Sequence, residues 1–353
     1  MVGVATTIIM SDWIIGAIQS PRTGWDFPVF YIAAHLPMHL LYNSAAFAAF
    51  WQKHLAPIGV PHWAPYVRLS VFSLLLRPLA MMSYYHALWV WLSAGLSAYF
   101  ASVFLLLRRF KLPALLIPAY AAFFPAIAGL IGGADATVYL LCLVVALLLL
   151  ERGQDGLAGC ALIPCLCKYN LVLLVPVVLL LHRRYRALVS FGIGAVLVVA
   201  ISIALASPKS YIDAVANAPR IAGWFFPVGL RGFSMGIHQL WTYPILAILT
   251  FLLCWWLMRL LPLSEAFCVA IIGALLISPY ITWYDSTLLV LPLAVILAKS
   301  GTAIRIICVG VLVAIPLWQY GGGATGSAGY MHVSVELFTL GFFIHASGLT
   351  RFL

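Results

Sequence analysis

The chain has 353 residues, 65% hydrophobic and only 8% charged, with a mean hydropathy of +1.09. A soluble domain carries about a quarter charged residues, and one this apolar would expose more greasy surface than a monomer in water can hide. A soluble catalytic domain, a Rossmann nucleotide unit and a zinc-finger module are therefore excluded, and the sequence reads as an all-α polytopic membrane protein. The net charge of +10, from 19 Lys and Arg against 9 Asp and Glu, does not point to nucleic acid. Its basic residues stand in short loops between apolar runs, where they act as orientation signals and membrane-lipid headgroup contacts.

At roughly 20 residues per crossing, the length allows about 10–12 helices. Apolar runs able to cross occur at 2–19, 84–107, 112–131, 134–150, 187–206, 240–258, 264–280, 285–298, 302–320 and 332–349. The first has no basic leader region and no clear cleavage site, and reads as a retained span. Two stretches, 67–81 and the Pro-interrupted 156–181, are too short for ordinary spans. They read as half-helices or re-entrant pieces, which survive at membrane depth only when buried in protein or lining a wet cavity. The expected organisation is a single integral membrane domain over 1–353. It has a first outer loop at about 20–66, a half-helix at 67–81, a broken segment at about 156–181 and an outer loop at about 207–239.

With the N-terminus inside, Arg108, Arg109, Lys111, Arg152, Arg183, Arg184, Arg186, Arg259, Lys299, Arg305 and Arg351 fall on inner loops, eleven of the 19 basic residues. That is the distribution the positive-inside rule expects. The acids Asp26, Asp135, Asp213, Asp285 and Glu336 sort to the outer face. The rule does not require this second sorting, and it places the working face outside. All seven cysteines lie inside apolar stretches, so neither a disulfide framework nor a thiolate metal site is indicated. Cys165 and Cys167 diverge on a helix and read as packing residues.

Asp26 follows the first span among aromatics, in Trp25-Asp26-Phe27-Pro28. A carboxylate in so apolar a place is driven toward the range of a general base; alternatively it caps the helix that begins at Phe27. Asp285 ends the outer stretch Ser278-Pro279-Tyr280-Ile281-Thr282-Trp283-Tyr284-Asp285, as a helix cap in an aromatic belt or as a site acid at the membrane edge. Lys168, where the broken segment turns, needs an anion. A phosphate, a substrate carboxylate or a salt bridge to an outer acid would each serve. Gly132-Gly133-Ala134-Asp135 forms an outer turn that permits tight reversal or close approach of a ligand. Arg220 and Arg231, with His238 beyond them, are phosphate contacts or snorkelling anchors. The run from Gly321 to Ser327 is a flexible loop with no following lysine, and no Gly-x-Ser-x-Gly, HExxH, CxxC or nucleotide fingerprint occurs.

Taken in order, these motifs resemble glycosyltransferase family 87. Asp26-Phe27-x-x-Phe30-Tyr31-x-Ala33-Ala34 resembles the family's opening, and Tyr42-Asn43-Ser44-Ala45-Ala46-Phe47 its Tyr-Asp segment, with Asn43 in place of Asp. Pro78-Leu79-Ala80 through Trp89 is similar to its Pro-Leu half-helix, although Tyr-Pro-Pro is lacking in the preceding segment from His62 to Arg68. Lys168 falls where the family carries a lysine, and Pro279-Tyr280 through Tyr284-Asp285-Ser286-Thr287-Leu288-Leu289 is similar to its late Pro-Tyr, Tyr-Asp, Leu-Leu motif. The resemblance covers roughly residues 20–300.

It implies a GT-C-like bundle and transfer of a sugar, often mannose, with inversion, from a polyprenyl-phosphate donor to a lipid, glycan or protein acceptor. The reaction would take place on the outer side of a bacterial inner membrane, surrounded by membrane lipids, with no nucleic acid partner. Asp26 then becomes the general base. Lys168, Asp285, Tyr284, Asp135, Arg220, Arg231, His238 and Tyr31 become substrate-binding residues, and the cations meet the leaving phosphate. The lipid-linked sugar is a substrate, and no cofactor or metal is expected. Two other readings compete. A transporter or flippase for an anionic amphiphile would use the same broken helices, although no internal repeat is visible; a scaffolding protein leaves the outer acids beside a buried lysine unexplained.

Overall fold

The computed structural model describes residues 24–60, 64–121, 123–212, 229–236, 239–299 and 340–341. Every regular element among them is helical, as expected where a backbone with no water to bond must satisfy itself internally. The expected runs 2–19, 302–320 and 332–349 lie outside the described residues, apart from 340–341.

The first loop carries α1 (Phe27–His35) and α2 (Ser44–Phe50). Asn43 caps α2, its side chain accepting from the Ala46 N–H at 3.1 Å, which gives this position a helix-starting role. The half-helix expected at 67–81 is α3 (Ser70–Leu76), continued by a 3-10 turn over Arg77–Met81. Next come α4 (Tyr84–Phe110), α5 (Ile117–Ala121), α6 (Phe124–Gly132) and α7 (Ala136–Glu151). The broken segment is α8 (Asp155–Leu162), a 3-10 stretch over Ile163–Val172 and α9 (Val175–Leu181). The chain continues through α10 (Tyr185–Ala206), α11 (Leu230–Gly236), α12 (Thr242–Leu260) and α13 (Leu263–Ile277). It then passes a 3-10 turn over Trp283–Leu289 and α14 (Val290–Lys299).

Among the described residues α4, α10 and α12 are long and apolar enough to cross a membrane, and up to five crossings result if each of two bent pairs counts as one. The pair over 114–132 bends by 55° and that over 155–181 by 106°. Proline stands at the start of the pieces, as Pro125 in α6, Pro164 in the 3-10 stretch and Pro176 in α9. It fits a first turn but breaks whatever helix would precede it.

Over three of the expected runs the helices among the described residues are shorter than a full span. The runs at 134–150 and 264–280 form helices of 16 and 15 residues, and 285–298 forms a 3-10 turn followed by a ten-residue helix. The physical reason is burial. Every residue of α13 from Glu265 to Leu276 is buried, so this helix meets protein and need not match the bilayer thickness. Pro292 sits in the first turn of α14, where its missing N–H costs nothing. By contrast α10 and α12 present Val189, Val196, Ile248 and Leu252 outward, the surface of helices that face lipid.

Charge separates along the bundle. The cavity-side starts of α7 and α14 follow Asp135 and the Asp285 turn, whereas α4, α12 and α14 finish on Arg108 and Arg109, Arg259 and Lys299. Ion pairs fasten this basic end: Arg109 to Glu151 at 2.6 Å, Arg184 to Asp155 at 3.3 Å, and Lys299 to Glu265.

Small residues let α8 and α10 approach closely, as in membrane helix pairs generally. A Cβ at Gly159 would stand 2.4 Å from the Ala187 carbonyl oxygen and 2.7 Å from Ser190 Cβ, while one at Gly192 meets nothing within 4 Å. Gly159→Ala is therefore expected to lower the melting temperature in detergent, at a cost of about 1–3 kcal/mol. Gly192→Ala should leave it unchanged, and equal melting of the two variants would refute the close-packing account.

Candidate active site

Asp26 is placed by two glycines. Its N–H donates to the Gly132 carbonyl at 2.8 Å and the Gly24 N–H donates to Ile131 at 2.8 Å, so the loop before α1 docks on the end of α6. A Cβ on Gly132 would lie 2.6 Å from the Trp25 indole, and one on Gly133, at φ +72°, 2.9 Å from Phe27 Cβ. The close approach that these glycines permit is thus that of the protein's own loop. Behind it Phe27, Phe30, Tyr84 and Trp91 form an aromatic cluster with centroids 5.4–6.4 Å apart, and Trp91 Nε1 donates to the Gly133 carbonyl at 2.8 Å.

Asp26 stands at the N-cap position of α1, but its backbone is α-helical and its side chain makes no cap hydrogen bond. The carboxylate is not spent on the helix. The Tyr284 side chain hydrogen-bonds to it, and Oδ2 is shut from solvent without a partner among the described residues. Burial pushes its pKa up to about 6; the Tyr284 hydrogen bond and the charges of Lys168 and Arg68 hold it down, and Asp135 adds to the rise.

The two cations nearby are each held by a carboxylate. Arg68 donates through Nε at 2.9 Å and Nη2 at 3.0 Å to Asp135, which also accepts from the Tyr139 hydroxyl at 2.8 Å. Lys168 pairs with Asp285 Oδ1, and Asp285 Oδ2 accepts from the Thr282 N–H and Oγ1, both at 3.0 Å. The salt bridge is thus the partner that Lys168 takes. Its backbone, at φ −129° and ψ 62°, interrupts the 3-10 stretch, and the kink turns the ammonium toward the 283–289 turn. Asn170 fastens the same two segments by donating to Ser278 Oγ at 2.9 Å and the Tyr280 carbonyl at 2.8 Å.

These groups line one cavity of about 280 Å³, with Asp26, Arg68, Asp135, Lys168, Tyr284 and Asp285 at its polar wall. Opposite chemistry comes from Val29, Phe30 and the tyrosines Tyr42, Tyr66 and Tyr211. The tyrosine hydroxyls are engaged, Tyr42 with the Arg68 carbonyl at 2.8 Å and Tyr66 with the Leu69 carbonyl at 3.0 Å, while Tyr211 accepts from the Ser70 N–H at 3.2 Å. Small-molecule sites have this mixture of an apolar wall and a few convergent polar groups. Among the described residues no three His, Cys, Asp or Glu side chains come together as a metal site.

Five expected residues, Asp26, Asp135, Lys168, Tyr284 and Asp285, therefore converge. Arg231 stands at the rim, donating to the Pro279 carbonyl at 3.2 Å with its guanidinium 5.5 Å from the centre of the Tyr280 ring, which lines the cavity. Tyr31 lies apart, its hydroxyl donating to the Met82 carbonyl at 2.9 Å and its ring packed edge-on against Tyr84. Arg220 and His238 lie outside the described residues. Sequence reasoning missed Arg68 and Tyr139. A lone arginine at the head of a short apolar stretch is one signal for such a residue, and a tyrosine four residues after an aspartate on one helix is another.

Removing one member of a buried pair leaves an uncompensated charge, at a cost of about 3–5 kcal/mol. Arg68→Ala and Asp135→Ala should each destabilise by this order, and the double variant by clearly less than their sum. A double-mutant cycle from melts in detergent tests this; additive losses would mean that the two groups do not depend on one another.

The glycosyltransferase family 87 model matches residues 71–279, more than half of the chain. The matched region holds Asp135, Tyr139 and Lys168, while Asp26 precedes it and Tyr284 and Asp285 follow it within a few residues. No curated protein and no solved structure matches the chain. With its apolar crossing helices and this match, the chain belongs to glycosyltransferase family 87 and is a membrane glycosyltransferase.

Proposed function

We propose that the protein transfers a sugar, mannose or another hexose or pentose, from a polyprenyl-phosphate donor to a hydroxyl of a lipid, glycan or protein acceptor. Anomeric configuration inverts in one displacement, and Asp26 is the general base. The observation that carries this reading is the contrast among the three cavity carboxylates: Asp135 and Asp285 have both oxygens engaged with cations or hydrogen-bond donors, whereas Asp26 Oδ2 is buried and free among the described residues.

The acceptor hydroxyl donates its hydrogen bond to Asp26 Oδ2. As the hydroxyl oxygen forms its bond to the anomeric carbon, its proton passes to Asp26 and the bond from that carbon to the phosphate oxygen breaks. The departing polyprenyl phosphate gains negative charge, which Lys168 and Arg68 meet with N–H groups that their carboxylate partners do not use. Donors fixed in place before the reaction stabilise such charge without reorganising. Asp135 and Asp285, each held from behind by further donors, keep the two cations oriented. The reaction so drawn draws on no cofactor. Basic residues at the far ends of α4, α12 and α14 support an orientation with the cavity on the outer side of a bacterial inner membrane.

A base with a pKa of about 6 is mostly ionised at neutral pH, and its working form is lost as pH falls through that value. In proteoliposomes with labelled polyprenyl-phosphate-mannose, kcat/KM should fall on the acid side with a midpoint near pH 6. Asp26→Asn, folded by melting and gel filtration, should lose about 10²–10⁴-fold in transfer. Undiminished transfer by Asp26→Asn would remove this residue from the mechanism and turn attention to Asp285.

A further inference from the structure

Tyr284 touches both halves of the site. Its hydroxyl hydrogen-bonds to Asp26 and lies beside the Thr282 side chain, and its ring lies under the Lys168 ammonium, 5.4 Å from nitrogen to centroid. Thr282 in turn donates through N and Oγ1 to Asp285, the partner of Lys168. A continuous set of contacts thus runs from Asp26 through Tyr284, Thr282 and Asp285 to Lys168. The ring itself has little freedom. It packs with Ala134 and Ala136, and a Cβ on Gly129 would stand 3.2 Å from Tyr284 Cβ.

We propose that Tyr284 is a positioning residue with two separable parts: its hydroxyl occupies one oxygen of Asp26 and leaves Oδ2 for the acceptor, and its ring keeps Lys168 from pairing with Asp26. This rests on the reading of Asp26 as the base. An ammonium and a carboxylate in one cavity attract strongly where water is scarce, and a base that closed onto Lys168 would be neutralised as a base while the phosphate lost its cation. The ring accepts the ammonium on its face through a cation–π contact, and Asp285 supplies the alternative counter-charge. The charged and titratable groups that act on Asp26 are Tyr284, Lys168, Asp135 and Arg68; two of them are fixed in the Arg68–Asp135 pair, which leaves Lys168 as the cation that Tyr284 controls.

The two parts predict opposite shifts. Tyr284→Phe keeps the ring and removes a hydrogen bond to the ionised base, so the acid limb of kcat/KM against pH should move up by about one unit. Tyr284→Ala also removes the ring and lets Lys168 reach Asp26. Its limb should move down, with a fall in kcat and a rise in donor KM as the phosphate loses Lys168. A tyrosine with a merely structural role would lower the rate or the melting temperature and leave the limb where it is. The decision rests on the conservative Tyr284→Phe variant, measured beside Asp26→Asn in the same proteoliposomes. An unmoved limb in Tyr284→Phe, with Asp26→Asn inactive, overturns the coupling and spares the base. Full transfer by Asp26→Asn overturns both.

Discussion

Lys168 is buried, and a buried ammonium has to find a counter-charge or lose its proton. Asp285 meets that requirement from 117 positions further along the chain. To bring the two together, the protein breaks the segment 155–181 into pieces bent by 106°, gives Lys168 a non-helical backbone, and starts the following stretch after α13 with a 3-10 turn rather than an α-helix. Asn170, Ser278 and Tyr280 tie the same two segments a few residues away. The second pair, Arg68 with Asp135, does the corresponding work on the other side by holding the extended stretch before α3 against the start of α7. Neither pair is to be read as a net source of stability, since desolvation offsets much of the attraction. Their effect is to fix where four chain segments meet.

Irregular backbone at this depth is tolerable only because it is enclosed. The short helices α7, α13 and α14 are buried inside the bundle, and α10 and α12 present the lipid-facing surface outside. This explains which parts of the fold were legible in the sequence. Long apolar runs such as that of α4 and the Pro-interrupted segment at 156–181 announce themselves, because hydropathy and proline act locally. Length fails as a guide for α13: a helix covered by protein on every side is as hydrophobic as a span, although it need not reach across a bilayer.

The candidate site was legible to a similar extent and for a related reason. In a chain with so few charges, Asp26, Asp135, Lys168 and Asp285 stand out against apolar surroundings, and each carries a desolvation cost that some partner must offset. Which partner is a matter of tertiary geometry. The sequence matches Lys168 to an outer acid in kind but not in identity, and no local pattern links Arg68 to Asp135, whose carboxylate lies 2.9 Å from the Arg68 Nε. Tyr31, by contrast, is not among the residues that line the cavity. It sits five residues after Asp26 on α1, but one helical face does not serve both, and its hydroxyl is spent on the Met82 carbonyl.

The three carboxylates of the cavity are chemically alike, so their different roles must come from their partners. Asp135 has two arginine nitrogens and a tyrosine hydroxyl, and Asp285 has a lysine, a backbone N–H and a threonine hydroxyl. With both oxygens engaged in this way, these two acids are suited to orient cations and leave no free oxygen to an acceptor hydroxyl. Asp26 has Tyr284 on one side and, among the described residues, nothing on Oδ2. Burial raises its proton affinity while the neighbouring Lys168 and Arg68 keep it ionised near neutrality, the balance a general base needs. In the proposed reaction the same two cations would serve twice, holding the base ionised before the transfer and meeting the leaving phosphate during it. That double use requires them to stay close to Asp26 without bonding to it, and the carboxylates behind them, together with the aromatic ring under Lys168, satisfy that condition.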